Sequence, residues 1–259
     1  MANDFCSDPN CKALWRFENG ALTVDDIGTN TLTSHGTPTA ELVLFKEGAA
    51  SVELQKIGGD YYDIADAGLD AGFPLKNGDA IKKISVCFWL RMDTVPSMLT
   101  HGKIWTKEGS LSVRAYNTGA VTRMEIELFN GGSNIYFHGG TLVVDRWYHV
   151  GVTYQDSDQR YRIQIWDDTA GAKLDVDRNG LGVNVALTAN PMKVSHQTLG
   201  QNIDGYIDEM VIFNRVLAES EIDDVKDGTF SRGGDLAVFG SLTNLFWFVK
   251  KSTGLLAKL

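Results

Sequence analysis

The sequence predicts an all-β protein: a jelly-roll β-sandwich of two antiparallel sheets, with one short helix near the C-terminal end of the domain. Three observations lead to this fold class. Apolar and polar residues alternate along many short segments, which is the period of a half-buried strand. Gly-Gly, Asn-Gly and Asp-Gly pairs separate these segments and mark turns. Many short strands at this spacing are typical of a sandwich.

The longest alternating segment covers residues 84–92. One side of it carries Ile84, Val86, Phe88, Leu90 and Met92, and the other carries Ser85, Cys87, Trp89 and Arg91. Further rows run through residues 124–128, 148–154, 163–166 and 207–213. In the first of these, apolar residues alternate with Glu125 and Glu127, which predicts one dry and one wet face.

Turn signals separate the rows, and one helix follows them. The turn-forming pairs begin at Gly58, Asn77, Asn130, Gly139, Asn179 and Asp227. In the segment from Leu217 onward, Leu217, Ile222 and Val225 fall near one helical face. Acidic residues crowd its start and Gly228 follows its end, as the helix dipole and C-terminal capping favour. We therefore expect two or three helical turns on a sheet edge.

The chain divides into three parts by composition. Residues 12–228 form the predicted sandwich, after an N-terminal arm of residues 1–11 and before a C-terminal tail of residues 229–259. The tail is net basic on an acidic body, and it carries an aromatic-basic cluster of Phe246, Trp247, Phe248, Lys250 and Lys251. Two interpretations stay open: an extra strand that folds back on the sandwich, and a docking tail that covers a neighbouring subunit.

Charge and hydropathy exclude some classes of function. The net charge of -9 and the pI near 5.0 argue against a nucleic-acid partner, which needs a basic face. An acidic surface suits calcium, neutral sugars or simple solubility. No run approaches the roughly 20 apolar residues of a transmembrane segment, and the N-terminus lacks the pattern of a secretory signal. We expect an extracellular or virion-associated protein. Either the sequence has been trimmed, or the protein leaves the cytoplasm without a secretory signal, for example inside a virus particle.

The three cysteines predict no metal centre. Cys87 lies in an apolar strand pattern and is expected to be a buried small hydrophobe. Cys6 and Cys11 flank a turn-forming Ser-Asp-Pro-Asn sequence, so a short disulfide loop and two free thiols are both open. No His or second Cys pair lies nearby, which argues against zinc.

Three motifs occur in order along the sequence: ALWRFE at residues 13–18 followed by DDIGTN at 25–30, then WYHVGVTY at 147–154, and last GYIDEMVIFNRVL at 205–217 with Glu221 and Ile222 after it. Together they resemble the bacterial type of laminin-G-like domain in the concanavalin-A-like lectin/glucanase superfamily. They occur in the family's order and span most of residues 12–225. The resemblance implies a jelly-roll sandwich, often with one structural calcium ion.

The resemblance also implies where that calcium would lie. In the family the ion is held by the Asp of an Asp-x-x-Gly turn and the Asp of the Ile-Asp-Glu strand, which are Asp25 and Asp208 in this sequence. Carbonyl groups around Gly28 and Asn30 would complete the oxygen shell. The alternative is that Asp25 caps a turn and Asp208 accepts backbone hydrogen bonds.

A second calcium candidate is weaker. DVDRNG at residues 175–180 fits the first half of an EF-hand loop, but Ala186 stands where the bidentate Glu belongs. We therefore predict a hairpin turn through Asn179 and Gly180.

Sugar-binding sandwiches use aromatic platforms together with amide and carboxylate hydrogen bonds. The sequence offers such groups on predicted loops and wet faces: Trp105, Tyr116, Asn130, Asn134, Tyr136, Tyr161 and Trp166. The segment 130–136 stands out, because its glycines would let a ligand approach while amides and a ring lie beside it.

Catalytic motifs are sparse. Glu221 and Asp223 begin the Glu-x-Asp-x-x-Glu pattern of a glucanase, but they lie in the predicted helix and Lys226 replaces the last Glu. The sequence has no nucleophile elbow, zinc-protease motif or phosphate loop. The leading hypothesis is a non-catalytic, lectin-like recognition or adhesion module that binds a glycan or cell-surface polysaccharide, displayed on a larger assembly such as a phage particle. The alternatives are a purely structural decoration subunit and a glycan-degrading enzyme.

Overall fold

The structure, a computed structural model, describes residues 3–137, 140–198 and 200–232, with backbone only for 133–137 and 175–181. These residues form fifteen β-strands and one α-helix. The strands are β1 Cys11–Trp15, β2 Thr33–His35, β3 Thr39–Glu41, β4 Ser51–Leu54, β5 Tyr61–Ile64, β6 Lys83–Met92, β7 His101–Lys107, β8 Leu111–Asn117, β9 Thr122–Phe129, β10 Ser133–Phe137, β11 Trp147–Gln155, β12 Arg160–Asp167, β13 Ala172–Leu181, β14 Met192–Ser195 and β15 Gly205–Phe213, and the helix is α1 Glu219–Lys226.

The strands form two antiparallel sheets, which confirms the predicted jelly-roll sandwich. The eight-stranded sheet has the order β13-β12-β11-β6-β15-β4-β3, with β1 also paired to β15. The seven-stranded sheet has the order β10-β9-β8-β7-β14-β5-β2. Many of these pairs join strands far apart in the sequence, such as β6 with β15.

The core lies between the two inner faces. The predicted row of apolar residues in β6, from Ile84 to Met92, is buried there, and Met124, Ile126 and Leu128 face it from β9. Trp15 and Phe17 are also fully buried in this core. Each such large side chain contributes about 2 kcal/mol or more by leaving water.

A second apolar cluster covers the outer face of the eight-stranded sheet. Leu217, Ile222 and Val225 bring α1 onto this face, as their helical spacing predicted, but α1 packs on the inner strand β11 and not on the predicted sheet edge. Gly151 in β11 is required here, because a Cβ atom at this position would lie 2.4 Å from Cγ2 of Ile222. The short helix therefore packs on a strand that leaves room for it.

The termini of the described chain belong to this second cluster. The Phe5 ring lies 6.1 Å from that of Phe213 and 5.5 Å from that of Phe230. Asn3 accepts a hydrogen bond from the Phe230 backbone and donates one to the Val225 carbonyl. Residues 3–11 and 229–232 are therefore packed on the sandwich.

The start of α1 is fixed by an ion-pair cluster. Glu221 accepts a hydrogen bond from the Ala218 backbone at 2.7 Å and pairs with Arg215 at 2.6 Å. Arg215 also pairs with Asp8 at 2.6 Å. None of the helices among the described residues has the length and apolar character needed to cross a lipid bilayer.

Some local predictions differ from the structure. The turn predicted at Asn179 and Gly180 is wrong, because β13 continues through both residues and pairs them with Arg162 and Tyr161. Cys6, Cys11 and Cys87 are free thiols, with Cys11 and Cys87 buried. The tail cluster of Phe246, Trp247, Phe248, Lys250 and Lys251 and the turn at Gly139 lie outside the described residues.

Candidate functional site

The outer face of the seven-stranded sheet carries a dense set of polar side chains, which we call the polar face. Strand alternation places them opposite the core residues of the same strands. The members used below are Tyr61 and Asp63 in β5, His101 and Lys103 in β7, Arg114 and Tyr116 in β8, Glu125 and Glu127 in β9, Lys193 in β14, and the adjoining His35, Glu108 and His196.

Arg114 is the centre of one half of this face. Its Nε lies 2.6 Å from Oε2 of Glu125, and its Nη1 lies 2.6 Å from Oε2 of Glu127. All three side chains are at most 6% exposed. Burial raises the pKa of Glu125, while Arg114 opposes that rise. The wet face predicted for Glu125 and Glu127 is therefore wrong, because a cation on the neighbouring strand allows both carboxylates to be buried.

Glu108 organises the other half of the polar face. Its Oε1 lies 3.0 Å from Nε2 of His196 and 2.9 Å from Nζ of Lys193. The hydrogen bond from His196, followed by the contact with Lys193, lowers the pKa of Glu108 to about 2 against the effect of burial. Because Nδ1 of His196 accepts the backbone N–H of Thr198 at 3.1 Å, its Nε2 must carry the proton that Glu108 accepts.

Two further nitrogen-bearing side chains lie between these halves. Nζ of Lys103 lies 3.3 Å from Nε2 of His196, and burial lowers the pKa of Lys103. Burial also lowers the pKa of His101 to about 4, so its imidazole is neutral at pH 7 and can both donate and accept a hydrogen bond.

Two stacked rings border the polar face. The rings of His35 and Tyr61 lie parallel, with centroids 4.2 Å apart. Nε2 of His35 lies 3.1 Å from Oδ1 of Asp63, which holds the imidazole in place. The rings are partly exposed, so this edge offers an apolar surface beside a row of fixed hydrogen-bonding groups.

The aromatic residues proposed for sugar contact have different surroundings. Trp105 is fully buried in the core and is excluded as a platform. A register shift after Lys103 inserts Ile104 as an extra residue and turns Trp105 inward. Trp166 lies on the other, eight-stranded sheet and is partly exposed. The Lys226 ammonium lies 4.1 Å from the centroid of its ring. Tyr161 is only 8% exposed.

The predicted amide cluster lies at the edge of the seven-stranded sheet. Asn130 is exposed in the turn between β9 and β10. Asn134 and Tyr136 occupy β10 positions paired with Leu128 and Ile126, and only their backbone is described. Tyr116 is partly buried on the polar face. Sequence reasoning missed Arg114, Glu108, Lys193 and His196 as members of this face.

The predicted calcium ligands take part in hydrogen bonds with two different loops. Oδ1 of Asp25 accepts the backbone N–H groups of Leu14 and Ile27, and Oδ2 accepts the backbone and side-chain N–H groups of Asn30. The Asn30 carbonyl accepts the indole N–H of Trp15 at 2.9 Å. Asp25 therefore has its oxygen atoms occupied by nitrogen donors, as expected for a turn-capping residue.

Close to Gly28, a second carboxylate completes this hydrogen-bonded loop. Asp70 accepts the Thr29 backbone N–H at 2.8 Å and the Asn30 side-chain amide at 3.0 Å. A Cβ atom at Gly28 would lie 2.4 Å from Oδ2 of Asp70, so a larger residue there would displace this carboxylate. The side-chain amide of Asn30 donates to both carboxylates, Asp25 and Asp70, and so joins them.

Asp208 contacts a different loop. Its Oδ2 accepts the backbone N–H groups of Lys46 at 2.7 Å and Glu47 at 2.9 Å, while its Oδ1 has no hydrogen-bond partner. Among the described residues, no three His, Cys, Asp or Glu side chains lie close enough together to hold a metal ion. The calcium site predicted at Asp25, Gly28, Asn30 and Asp208 therefore stays a prediction, with most of its carboxylate oxygens already accepting N–H groups.

Comparisons with known proteins agree with this architecture. The model of the family described as the concanavalin A-like lectin/glucanases superfamily matches residues 58–223, which is more than half of the chain. No curated protein sequence matches the chain.

Solved structures with the same fold are distant in sequence. Domain 4 of AbnA, an extracellular arabinanase from Geobacillus stearothermophilus solved with arabinotriose, has a TM-score of 0.58 at 15% identity, covering 83% of this chain and 98% of that domain. The binding domain of botulinum neurotoxin serotype D has a TM-score of 0.60 at 15% identity, covering 85% of this chain but 52% of its own. Tailspike protein 2 of an Escherichia coli O157:H7 bacteriophage has a TM-score of 0.53 at 12% identity, covering 75% of this chain and 27% of the tailspike chain. At these identities the likeness shows the fold alone.

Proposed function

Because the chain belongs to the concanavalin A-like lectin/glucanases superfamily, we propose that it is a non-catalytic carbohydrate-recognition module that binds its glycan on the polar face. The observation that carries this proposal is the pair of fixed ionic networks centred on Arg114 and Glu108. Such groups are already oriented by one another, so a sugar would find its hydrogen-bond partners in place.

The chemistry of the polar face suits a polyol. Glu125 and Glu127 are buried with Arg114, so the partly exposed side chains beside them are the ones that can contact a ligand. Lys103 donates to hydroxyl oxygens, and the neutral imidazole of His101 both donates and accepts. The stacked rings of His35 and Tyr61 offer an apolar edge for the C–H face of a sugar.

The structural neighbours support the class of ligand. The AbnA domain was solved with arabinotriose, and botulinum neurotoxin type C, another structure of this fold, is described as interacting with two ganglioside molecules. The type C structure matches at a TM-score of 0.55 and 12% identity and covers 85% of this chain and 51% of its own. These ligands belong to those proteins, and a glycan is the chemistry they share.

The test is a glycan array with the whole chain, followed by titration of the strongest ligand. Lys103→Ala and Tyr61→Ala are expected to weaken binding by at least about tenfold, the effect of losing one good hydrogen bond or ring contact. Lys12→Ala, which removes a lysine on β1 of the other sheet that donates a hydrogen bond to the Pro9 carbonyl, serves as the matched control. A chain that binds no glycan would contradict the proposal and favour the structural decoration subunit.

One observation favours the enzyme alternative. Burial raises the pKa of Glu125, and Glu127 lies on the same face two residues away, as a proton donor and a nucleophile would in a retaining glycosidase. Both carboxylates, however, share the guanidinium of Arg114, which occupies them as ion-pair partners. Release of reducing ends from a polysaccharide mixture, lost in Glu127→Gln, would establish hydrolysis instead of recognition.

We further propose that the module is displayed on a larger assembly, such as a phage particle, through its tail. The aromatic-basic composition of residues 245–251 and the presence of this fold in a phage tailspike support this arrangement. Deleting residues 233–259 is expected to abolish incorporation into the assembly while glycan binding persists. Unchanged incorporation would contradict the docking role of the tail.

A further inference from the structure

One end of the sandwich carries three exposed apolar side chains, which we call the apolar tips. They are Ile57, in the loop between β4 and β5, and Met98 and Leu99, in the loop between β6 and β7. Their exposed fractions are 96%, 68% and 64%. Large apolar side chains that are exposed together at one place are typical of a surface that contacts a partner.

Strand register places the two loops at the same end of the sandwich. Leu54 and Met92, the last residues of β4 and β6, both pair with Gly205, the first residue of β15. The loops also contact each other, because Nζ of Lys56 lies 3.4 Å from Oγ of Ser97. The apolar tips therefore belong to one surface.

Asn117 of β8 fixes the loop that carries Met98 and Leu99. Its carbonyl accepts the Leu99 N–H at 2.8 Å, its N–H donates to the Thr100 carbonyl at 3.0 Å, and its side-chain amide donates to the Pro96 carbonyl at 2.8 Å. Leu99 has a φ of 60°, in the left-handed region that a leucine rarely adopts. Such strain persists where the surroundings impose it, and it is concentrated at functional sites.

The loop that carries Ile57 is held in a similar way. The Lys56 N–H donates to Oδ1 of Asp204 at 3.2 Å, and the Lys56 carbonyl accepts the side-chain amide of Asn202 at 2.8 Å. The cavity between this loop and the β6–β7 loop measures about 10 Å³, which is too small for a side chain. The apolar tips are therefore fixed projections beside a cavity that cannot receive the anchor residue of a protein partner.

Carboxylates accompany the cations at this end of the molecule. Arg91 pairs with both Asp93 and Asp145. Asp204 lies beside Lys56, whose backbone N–H it accepts. This balance does not favour attraction to anionic headgroups, so contact with a lipid surface would depend on the burial of apolar side chains.

The apolar tips adjoin the polar face. His101 directly follows the β6–β7 loop and pairs with Tyr116 of β8, and Lys103 comes two residues later on the same strand. A glycan that extends from a lipid headgroup next to the apolar tips would therefore meet the side chains of the polar face.

We propose that the apolar tips insert into the surface of a lipid bilayer and thereby bring lipid-linked glycans to the polar face. The interface of a bilayer adapts to projecting apolar side chains, whereas a protein partner would need pockets that match them. The lipid-linked nature of the glycan rests on the proposed function, but the insertion itself can be tested without any glycan.

The test is a titration of the whole chain with phosphatidylcholine vesicles that contain no glycan, read out by flotation. The chain is expected to float with the vesicles. The triple variant Ile57→Asn/Met98→Gln/Leu99→Asn should weaken this binding by about a hundredfold, because each apolar side chain that leaves water contributes about fivefold. Asparagine is chosen for position 99 because it adopts a positive φ more readily than most residues.

The matched control is Leu42→Asn/Val43→Asn/Ile81→Asn, which removes three exposed apolar side chains away from this end. Ile81 precedes β6 at the other end of the sandwich, and Leu42 and Val43 follow β3. The control should bind the vesicles like the wild type. A wild-type chain that does not float, or a triple variant that binds as well as the control, would overturn the proposal.

Two further arms separate insertion from other kinds of lipid contact. Binding that is abolished in about 1 M sodium chloride would be electrostatic adsorption and would overturn insertion. A chain without residues 233–259 should bind the vesicles equally well, because Arg232 pairs with Asp8 near the other end of the sandwich. Loss of binding in this truncated chain would assign the lipid contact to the tail and overturn the proposal.

A soluble glycan from the array distinguishes this inference from the proposed function. The triple variant should bind that glycan like the wild type, which would also show that the variant is folded. Loss of glycan binding would place the apolar tips in the sugar site and overturn insertion. Should the triple variant not fold, Leu99→Asn alone is expected to weaken vesicle binding by about fivefold. An array without any ligand contradicts the proposed function and leaves the vesicle result standing.

Discussion

The outer faces of the two sheets differ in the residues that cover them. Each sheet has one face in the shared core, so its other face must be covered or must carry polar groups. The eight-stranded sheet is covered in part by apolar residues from α1 and the two chain termini, such as Ile222, Phe5 and Phe230. The seven-stranded sheet buries charged residues instead, and Arg114 and Glu108 pair with their neighbours.

This difference separates stability from recognition. An apolar cover stabilises the fold through burial. A buried ionic network adds less net stability, because the cost of desolvation offsets much of the attraction, but it holds polar groups in fixed positions. We call the outer face of the eight-stranded sheet, which α1 covers in part, the helix-covered face. We therefore assign recognition to the polar face, and packing of residues 3–11 and 229–232 to the helix-covered face.

The largest effect is expected from Arg114→Met. The substitution leaves Glu125 and Glu127 buried without their cation, and removing one partner of a buried pair costs roughly 3–5 kcal/mol of unfolding free energy. Urea denaturation of this variant beside Arg123→Met, an exposed arginine on β9, measures the loss. Adding Glu125→Gln and Glu127→Gln should restore part of the stability, because the uncompensated charges disappear. Equal stability of Arg114→Met and Arg123→Met would contradict the account of the polar face.

A smaller loss is expected on the other face from Ile222→Ala. Ile222 is fully buried against Gly151, so truncation leaves a cavity between α1 and the sheet. We expect a loss of about 2–3 kcal/mol, at the low end for such substitutions, because a short helix can settle toward the strand. Glycan binding on the polar face should be unchanged in this variant. A parallel loss of binding would show that the two faces are coupled.

The third prediction concerns pH. Burial raises the pKa of Asp208 to about 7, and burial also raises that of Glu209 to about 7, from ordinary values of 3.8 and 4.5. The folded state therefore holds these protons more tightly than the unfolded state. The stabilisation is complete below the unfolded values and is lost as pH rises through 7.

Between pH 6.5 and 8 the two groups should together lower the unfolding free energy by about 1–2 kcal/mol. His149 and His101 reduce the stability only at lower pH, because burial lowers the pKa of His149 to about 3 and that of His101 to about 4, and the resulting loss of stability begins below about pH 6.5. The variant Asp208→Asn/Glu209→Gln should flatten the slope in urea denaturation across this range. A wild-type stability that rises from pH 6.5 to 8 would contradict the prediction.

The smallest effect is expected from calcium. A calcium ion at a hundredfold its Kd would raise the unfolding free energy by about 2.7 kcal/mol. Because the oxygens of Asp25 already accept four N–H groups and Asp208 contacts another loop, millimolar calcium or a chelator should leave the Tm unchanged. A rise of several degrees with calcium, reversed by the chelator, would show that the ion displaces this network.

The fold and the helix could be predicted because local pattern determines them. The alternation from Ile84 to Met92 and the helical spacing of Leu217, Ile222 and Val225 require no knowledge of partners, and both are confirmed. In contrast, the pairing of Asn179 and Gly180 with β12 overrode a strong local turn signal. Strand pairing satisfies backbone groups that a turn would leave free.

The site was harder to predict because its geometry depends on register. Glu125 and Glu127 look like solvent-facing residues until β8 places Arg114 beside them. Trp105 lies two residues after Lys103, so strand alternation alone predicts that both point outward. The extra residue between them turns the Trp105 side chain to the core instead. Neither the pairing of Arg114 with the two glutamates nor the direction of Trp105 can be predicted from one segment alone. A pair of glutamates in one strand, with a single arginine in the next strand, is nevertheless a pattern that a sequence search could detect.

The most direct test of the central claim is a crystal structure of the whole chain with the strongest ligand from the glycan array. We predict the sugar on the outer face of the seven-stranded sheet, in contact with Lys103 and beside the rings of His35 and Tyr61. A sugar bound only on the helix-covered face, or only at the β9–β10 turn, would contradict the assignment of recognition to the polar face.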